Sequence, residues 1–464
     1  MRVGIVEKRK SKPVPATAPT SAPAGYTSFS AFDGELLKAM NSGQDIYFPP
    51  GTYQFEDLGE YLIKPNRKVI GAGKNATIFR GAGIDMADNT TLAHVGVEAA
   101  PGADNYHGIS FEQTGARVAG AKIDNCRIEG YHLGLRAYWM DSIVVRNNEI
   151  LRCDYGWYGR FRGTHILDNL VDTQSKSDAY ASGGEMQNAQ NCVIRGNICQ
   201  GGSVVGILFL NDYEGTIDSV VENNLVEGNT VSGVTEESIS FDTRGNDAER
   251  MHGRAVDTVA GVSGNTVTLS SPNWATAGSL FSGQYLMYRS GAEKGRVAKI
   301  ASQTDASFTL AAGSDLPQPG DQVVVGAPFL NNTVRDNTVD ASNGLSGIVG
   351  WGLNYGTVIE WNRVTGPNRL EQYGGGDPWN SAIKLASLDG IVTTGAISAS
   401  PCGRHAPSDG FVVRSNAITT TGTPKPTDRV LVVNYNFGRC PDPYTPALNV
   451  IENNQQPTQT GSWP

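Results

Sequence analysis

Charge is scarce in this chain: of 464 residues only 18% are Asp, Glu, Lys or Arg. Glycine, at 56 residues, is abundant instead, and that balance favours a turn-rich β protein over a helical one. No apolar run reaches roughly 18 residues, which excludes a membrane-spanning helix from the reading. The formal net charge of -9 and a pI near 5.3 argue against nucleic acid as the main partner. A local basic cleft on such a surface is still compatible with an anionic sugar polymer. The six cysteines have no zinc-ligand spacing. Cys126, Cys192 and Cys199 read as small buried hydrophobes, and Cys402 and Cys440 flank late loops where they are placed to pair. MRVGIVEKRKSKPVPATAPTSAPAG opens basic but lacks the apolar core of a secretory signal. Taken from Met1, it predicts a Pro/Ala/Thr/Ser-rich flexible arm over 1–28 and no export by the usual route.

What the chain does have is a recurring motif. VVRNNEIL, HILDNLVD, CVIRGNIC, VVENNLVE, NTVRDNTV, TVIEWNRV, FVVRSNAI and NVIENNQQ share one frame: an aliphatic residue, two mostly polar ones, an asparagine, a free position, and usually another aliphatic. The slot holds Asn148, Asn169, Asn197, Asn224, Asn337, Asn362, Asn416 and Asn454, with Cys126 occupying it in KIDNCRIEG. Intervals of 21, 28, 27 and 25 residues, with strand-like alternation and no helical stretch between copies, mean a solenoid. No leucine-rich consensus is present, so the predicted fold is all-β, a parallel β-helix with one coil per copy. Aliphatic positions point inward and stack on the next coil about 4.8 Å away. The asparagine is expected at the bend between sheets, because it tolerates left-handed backbone and its amide can form a ladder along the axis.

The period breaks at Met251 and resumes at Asn331. VAGVSGNTVTLSS, YLMYRSG, GRVAKIASQ, SFTLAAGS and GDQVVVGAP read as short antiparallel strands with glycine turns. The predicted organisation is therefore an arm (1–28), a first solenoid part with an N-terminal cap (29–250), an inserted small β-barrel or sandwich (251–328) and a second solenoid part (329–464). A second irregular stretch runs from Asn368 to Pro407. FDGELLKAMNSG (32–43) carries Phe32, Leu36, Leu37 and Met40 on one helical face, suited to capping the open end of a solenoid. GAGKNAT (71–77) lacks phosphate-loop spacing and reads as a plain turn. The helix, the following DIYFPPGTYQF and then LIKPNRKVIGAGKNATIFRG resemble the entry segment of the pectate-lyase-like right-handed β-helices. The resemblance spans roughly residues 32 to 250 and 329 to 455. It implies the right-handed fold, but not one chemistry, since that superfamily hosts lyases, hydrolases, epimerases and non-enzymatic shafts.

Chemistry is expected on the second strand of each coil: GLRAYWM, GWYGRFR, GGEMQN, GILFLND, SISFDTR, GIVGWGL and AIKLASL. Stacked in register they place Leu135, Trp157, Ile207, Ile239, Ile348 and Ile383 inside. Arg136, Tyr158, Ser240 and Lys384 fall outside, then a second outer row of Tyr138, Arg160, Glu185, Leu210, Asp242 and Trp351, with Arg162, Asp212 and Arg244 just beyond. Aromatic faces stack on sugar rings, and Arg and Lys bind polymer carboxylates. Tyr138, Tyr158, Trp157 and Trp351 are the candidate sugar platforms. Arg136, Arg160, Arg244 and Lys384 are the candidate anion-binding groups. Glu185 and Asp242, two coils apart in this register and so roughly 9–10 Å between backbones, are the candidate acid pair, close to the roughly 6.5–9.5 Å of inverting glycosidases. Asp212 is the alternative second carboxylate. A lyase would instead use Lys384, Arg160, Arg244 and Tyr138. His107, His132 and His165 have no nucleophile or metal spacing and read as ordinary surface or bend residues. No complete lyase signature and no NTD…DD…GHG pattern is present.

Together these features resemble a phage tailspike that binds and cleaves a bacterial surface polysaccharide. That resemblance implies a virion location, a homotrimer, an arm that attaches to a larger assembly, no nucleic acid and no membrane insertion. The alternatives are a secreted polysaccharide lyase and a non-enzymatic virion adhesin. No cofactor is expected. A loop-bound calcium would fit the resemblance, but no D-x-D-x-D run is present.

Overall fold

The computed structural model describes residues 17–54, 61–81, 83–101, 106–111, 117–173, 181–202, 204–211, 220–243, 255–270, 282–304, 306–326, 328–351, 354–366, 372–373, 377–378, 381–386, 410–420, 431–435 and 449–455. Among these, three parallel sheets of 13, 15 and 11 strands run the length of a β-helix. One coil shows how the sequence builds it. Leu133–Asp141 lies in the long-strand sheet. Ser142 turns the chain with φ 55, Val144–Arg146 enters the first short sheet, Asn147 turns it again with φ 57, and Glu149–Cys153 forms the second short sheet. Tyr155–Arg162 then pairs in parallel with Leu133–Asp141, starting the next coil. No described helix is long and apolar enough to cross a membrane.

Two interior columns follow from the strand period. Ile123, Val145, Ile166, Ile194, Val226, Val334, Ile359 and Val413 stack through the first short sheet. Ile128, Ile150, Val171, Cys199, Val231, Val339, Val364 and Ile418 stack through the second. All are buried. Cys126, Cys192 and Cys199 are buried free thiols, as expected, and burial pushes each up to about 12. Cys402 and Cys440 lie outside the described residues. The long sheet comes close to the second short sheet at a glycine near the start of several of its strands. A methyl group at Gly134, Gly156 or Gly206 would run into Ile150, Val171 or Val231.

The asparagine ladder is real, with two corrections. From Asn169 onward each ladder carboxamide oxygen accepts the backbone N–H and the side-chain amide of the residue one coil earlier, in the order Asn148, Asn169, Asn197, Asn229, Asn337, Asn362, Asn416, Asn454. Asn229, not Asn224, holds the fourth place. Asn224 belongs to a second ladder at the other bend, accepting from Cys192 and donating to Asn332. The left-handed residue is not the ladder asparagine but the one before it: Asn147, Asp168, Asp336, Trp361, Ser415 and Asn453 all have φ between 54 and 57. The division of labour is physical. A side chain must point inward to reach the next coil, while the turning residue points out.

The insertion is a closed six-stranded antiparallel barrel, Ala255–Gly326, with its own core of Val259, Val267, Leu286, Tyr288, Ile300, Phe308 and Val325. Its first and last strands pair, Ala255 opposite Val325. It rests on the shaft through Met287, Val324 and Tyr355, and through the Tyr285 hydroxyl, which donates to Glu222 at 3.4 Å. At the front end, the expected single helix is broken by the left-handed Asp33 into a short 3-10 turn, Phe29–Phe32, and a helix, Leu36–Asn41. Phe32, Ala39 and Met40 are buried against the first coil, but Leu37 is 61% exposed, against the expected apolar face. Thr27–Ser28, placed in the arm by sequence, already pairs with Ile46–Phe48 as the first strand of the shaft.

Candidate functional site

The outer face of the long-strand sheet carries the candidate site. Its inward row is as read from sequence: Leu135, Trp157, Ile207, Ile239, Ile348 and Ile383 follow one another through the core. Gly184 completes that row, and the Trp157 indole fills the space a side chain there would need. The consequence is a shift for Glu185. It lies not beside Arg160 and Leu210 but between Tyr158 and Leu208, in the row Ser110, Arg136, Tyr158, Glu185, Leu208, Ser240, Val349, Lys384. Gln187 takes the place beside Arg160 and Leu210, and Asp242 follows Leu210. Glu185 and Asp242 are thus two coils and one outward position apart, with the buried apolar cluster Val205, Leu208 and Leu210 on the coil between them. Asp212 and Arg244 lie outside the described residues.

Around Glu185 the face is aromatic and basic. Glu185 is fully buried and accepts a hydrogen bond from the Gln187 amide at 2.8 Å, while a second contact from that nitrogen reaches the Tyr158 hydroxyl at 3.0 Å. Tyr158 packs edge-on against Tyr155, Tyr155 against His132, and His132 against the half-exposed Tyr106, with centroids 5.5, 5.4 and 5.1 Å apart. The Arg136 guanidinium sits 5.4 Å from the Tyr106 ring. A bulge between Ala137 and Met140 pushes Tyr138 and Trp139 outward, leaving Tyr138 50% exposed. Arg160 and Arg117 then lie 4.7 and 5.0 Å from the Trp139 ring, and Arg160 6.0 Å from Tyr138. Such cation–π packing holds guanidinium groups beside ring faces.

Two to four coils beyond Glu185, the face closes over a second polar group. Trp351, read from sequence as a sugar platform, is buried, and the Lys384 ammonium sits 4.3 Å from its ring. The Trp351 indole N–H donates to Glu237 at 2.8 Å and the Ser240 hydroxyl donates to the other oxygen of the same carboxylate. Glu237 keeps part of its surface exposed, but its carboxylate is ringed by these groups; burial raises its pKa against the lowering effect of Ser240, Lys384 and Trp351. Burial also lowers Lys384 to about 8, with Glu237 opposing. Trp157 is likewise no platform, being wholly inside.

Sequence reading missed His132, Asp154, Tyr106, Trp139, Gln187 and Glu237. The His132 imidazole Nδ1 is 2.8 Å from the buried Asp154 carboxylate. A signal for it was present. Laying GYHLGL over RCDYGW, with Leu133 opposite Tyr155, sets His132 beside Asp154, and the pairing of His107 with Leu133 sets Tyr106 on the same column one coil earlier.

The comparisons agree with this architecture. The family described as "Right handed beta helix region" matches residues 66–271. Among solved structures, the A-module of the mannuronan C-5 epimerase AlgE6 from Azotobacter vinelandii is similar over 94% of this chain and 97% of its own, at 13% identity and a TM-score of 0.52. The Dettilon tailspike protein (gp208) matches over 93% and 66%, at 12% identity and 0.47. The catalytic unit of a GH87 α-1,3-glucanase from Streptomyces thermodiastaticus matches over 97% and 72%, at 13% and 0.37. No curated protein matches the chain by sequence. With three parallel sheets, left-handed bends and an asparagine ladder already described, the conclusion is that this chain is a right-handed parallel β-helix.

Proposed function

We propose that this β-helix binds a polysaccharide along the outer face of its long-strand sheet and cleaves it. The observation that carries this reading is the aromatic and guanidinium surface of Tyr106, Arg136, Tyr158, Tyr138 and Trp139 across consecutive coils, backed from beneath by the buried Tyr155 and Arg160. Flat rings at coil spacing suit successive sugars, and the guanidinium groups suit acidic substituents. The three solved structures named above are, by their titles, an epimerase of mannuronan, a tailspike and an α-1,3-glucanase, which supports a polymeric sugar as the ligand class. Within this reading the chain serves as a tailspike-like depolymerase of a bacterial surface polysaccharide, trimeric on a virion. Glu185 and Asp242 are the carboxylates of a hydrolytic route.

The test is incubation of the protein with purified capsular, O-antigen and uronate polysaccharides, following binding, new reducing ends and the ultraviolet absorbance of unsaturated uronates. Binding with release of reducing ends is expected. Glu185→Gln and Asp242→Asn are expected to lose at least ~100-fold in rate on the hydrolytic route. A protein that binds none of these polymers sinks the reading. Light scattering of the intact protein tests the trimer.

A further inference from the structure

Resting on the polysaccharide-cleaving part of that reading, and in place of its hydrolytic route through Glu185 and Asp242, we propose that His132 is the proton-transfer residue of this face, that Asp154 positions it, and that the polymer is a uronate cleaved by β-elimination. Tyr106, His132 and Asp154 occupy one column across three consecutive coils. Asp154 is buried, and it meets His132 Nδ1 at 2.8 Å, while the His132 side chain keeps 26% of its surface exposed. A carboxylate on Nδ1 fixes that nitrogen as the N–H and leaves Nε2 with its lone pair, ready to accept a proton. The other carboxylates beside this column are less available than the imidazole. Glu185 is fully buried against Gln187, and Asp85 is 3% exposed beside His107, with 3.8 Å between their charged atoms. The groups that reach the surface here are instead an imidazole, phenols and guanidinium groups. That is a set for proton abstraction beside a carboxylate rather than for a pair of carboxylic acids.

The rest of the column supplies the partners. Tyr106 brackets the site, touching His132 on one side and the Arg136 guanidinium on the other. Arg136 and Tyr158 are neighbours in register on adjacent coils. The Gln187 amide donates to the Tyr158 oxygen, which leaves the phenol proton to give outward. In the step, Arg136 neutralises the uronate carboxylate and His132 Nε2 takes the proton from C5. The C5–H electron pair becomes the C4=C5 double bond, the C4–O glycosidic bond breaks, and the leaving oxygen takes a proton from Tyr158. His132 returns its proton to solvent and Tyr158 regains one from it, so no oxidant, reductant or co-reactant is consumed.

The experiment compares the intact protein with His132→Ala and Asp154→Asn on polygalacturonate, alginate and acidic capsular polysaccharides, beside neutral glucans. Absorbance of an unsaturated product on one uronate polymer is expected. His132→Ala should lose ~100-fold or more in kcat with KM within about threefold, and added imidazole should restore part of the rate, which a merely structural loss would not allow. Asp154→Asn should lower kcat about tenfold at unchanged KM. Binding or cleavage without absorbance overturns the inference and leaves the polysaccharide reading standing. Absorbance with His132→Ala at wild-type rate overturns the role of His132. Absence of binding to every glycan removes both.

Discussion

At the scale of single residues the shaft depends on hydrogen bonds that jump between coils. Asn229 accepts from the backbone and side chain of Asn197 and donates to the Ile194 carbonyl and to Asn337. Replacing it with alanine leaves a buried N–H of Asn197 without that acceptor, which costs about 1–3 kcal/mol for each orphaned group. Asn229→Ala should therefore unfold at clearly lower urea than the wild type, while the same change at the exposed Asn223 should matter less. The Glu237–Lys384 group makes a pH prediction. Lys384 sits near 8 in the folded chain and near 10.5 when unfolded, so between those values the unfolded chain binds more protons and stability rises with pH. Glu237 works in the other sense: its raised pKa means the folded chain holds a proton longer, so its contribution is full below 4.5 and declines as pH rises. Lys384→Met should abolish the rise between pH 8 and 10.5, and Glu237→Gln the acid-side decline, both read from urea unfolding across pH. A wild-type pH profile in Lys384→Met would refute the assignment.

At the scale of elements, what sequence revealed and what it hid divide along a physical line. The short sheets were legible because their aliphatic columns and the asparagines recur at fixed offsets from a left-handed turn. The slot was misread once, at Asn224, because VVENNLVEGNTV contains both bends within six residues and each ends in an asparagine. Glu185 was placed one outward position too far because Gly184 stands in the interior row, where nothing in its own coil says so; the Trp157 indole from the neighbouring coil occupies that volume. The aromatic face was legible as a composition but not as a geometry. Trp351 is amphipathic in sequence and buried in the fold, and His132 acquires its meaning only from Asp154 one coil on. The barrel was legible from its turns, and it makes a prediction of its own. Because both ladders cross the insertion, excising 255–326 with a short glycine linker should leave a folded, β-rich shaft, with a lowered melting temperature from loss of the Met287–Val324–Tyr355 contact. Loss of the parallel-sheet circular dichroism signal would show that the shaft needs the barrel.

At the scale of the whole molecule, the chain is a sum of near-identical joints between neighbouring coils, and one joint differs in kind. Most coils close after a few tens of residues, as between Asn337 and Asn362, 25 apart, but Asn229 must meet Asn337 across 108. For a flexible chain the longer loop costs ~1.3 kcal/mol more entropy to close. The barrel changes that arithmetic. With Ala255 paired to Val325, its folded ends stand side by side and the effective loop shrinks to the residues outside it. A barrel that forms early thus turns the slowest joint of the shaft into an ordinary one. In folding terms, the insertion works as a clasp that brings the two halves of the chain within reach of each other before the ladder crosses the gap.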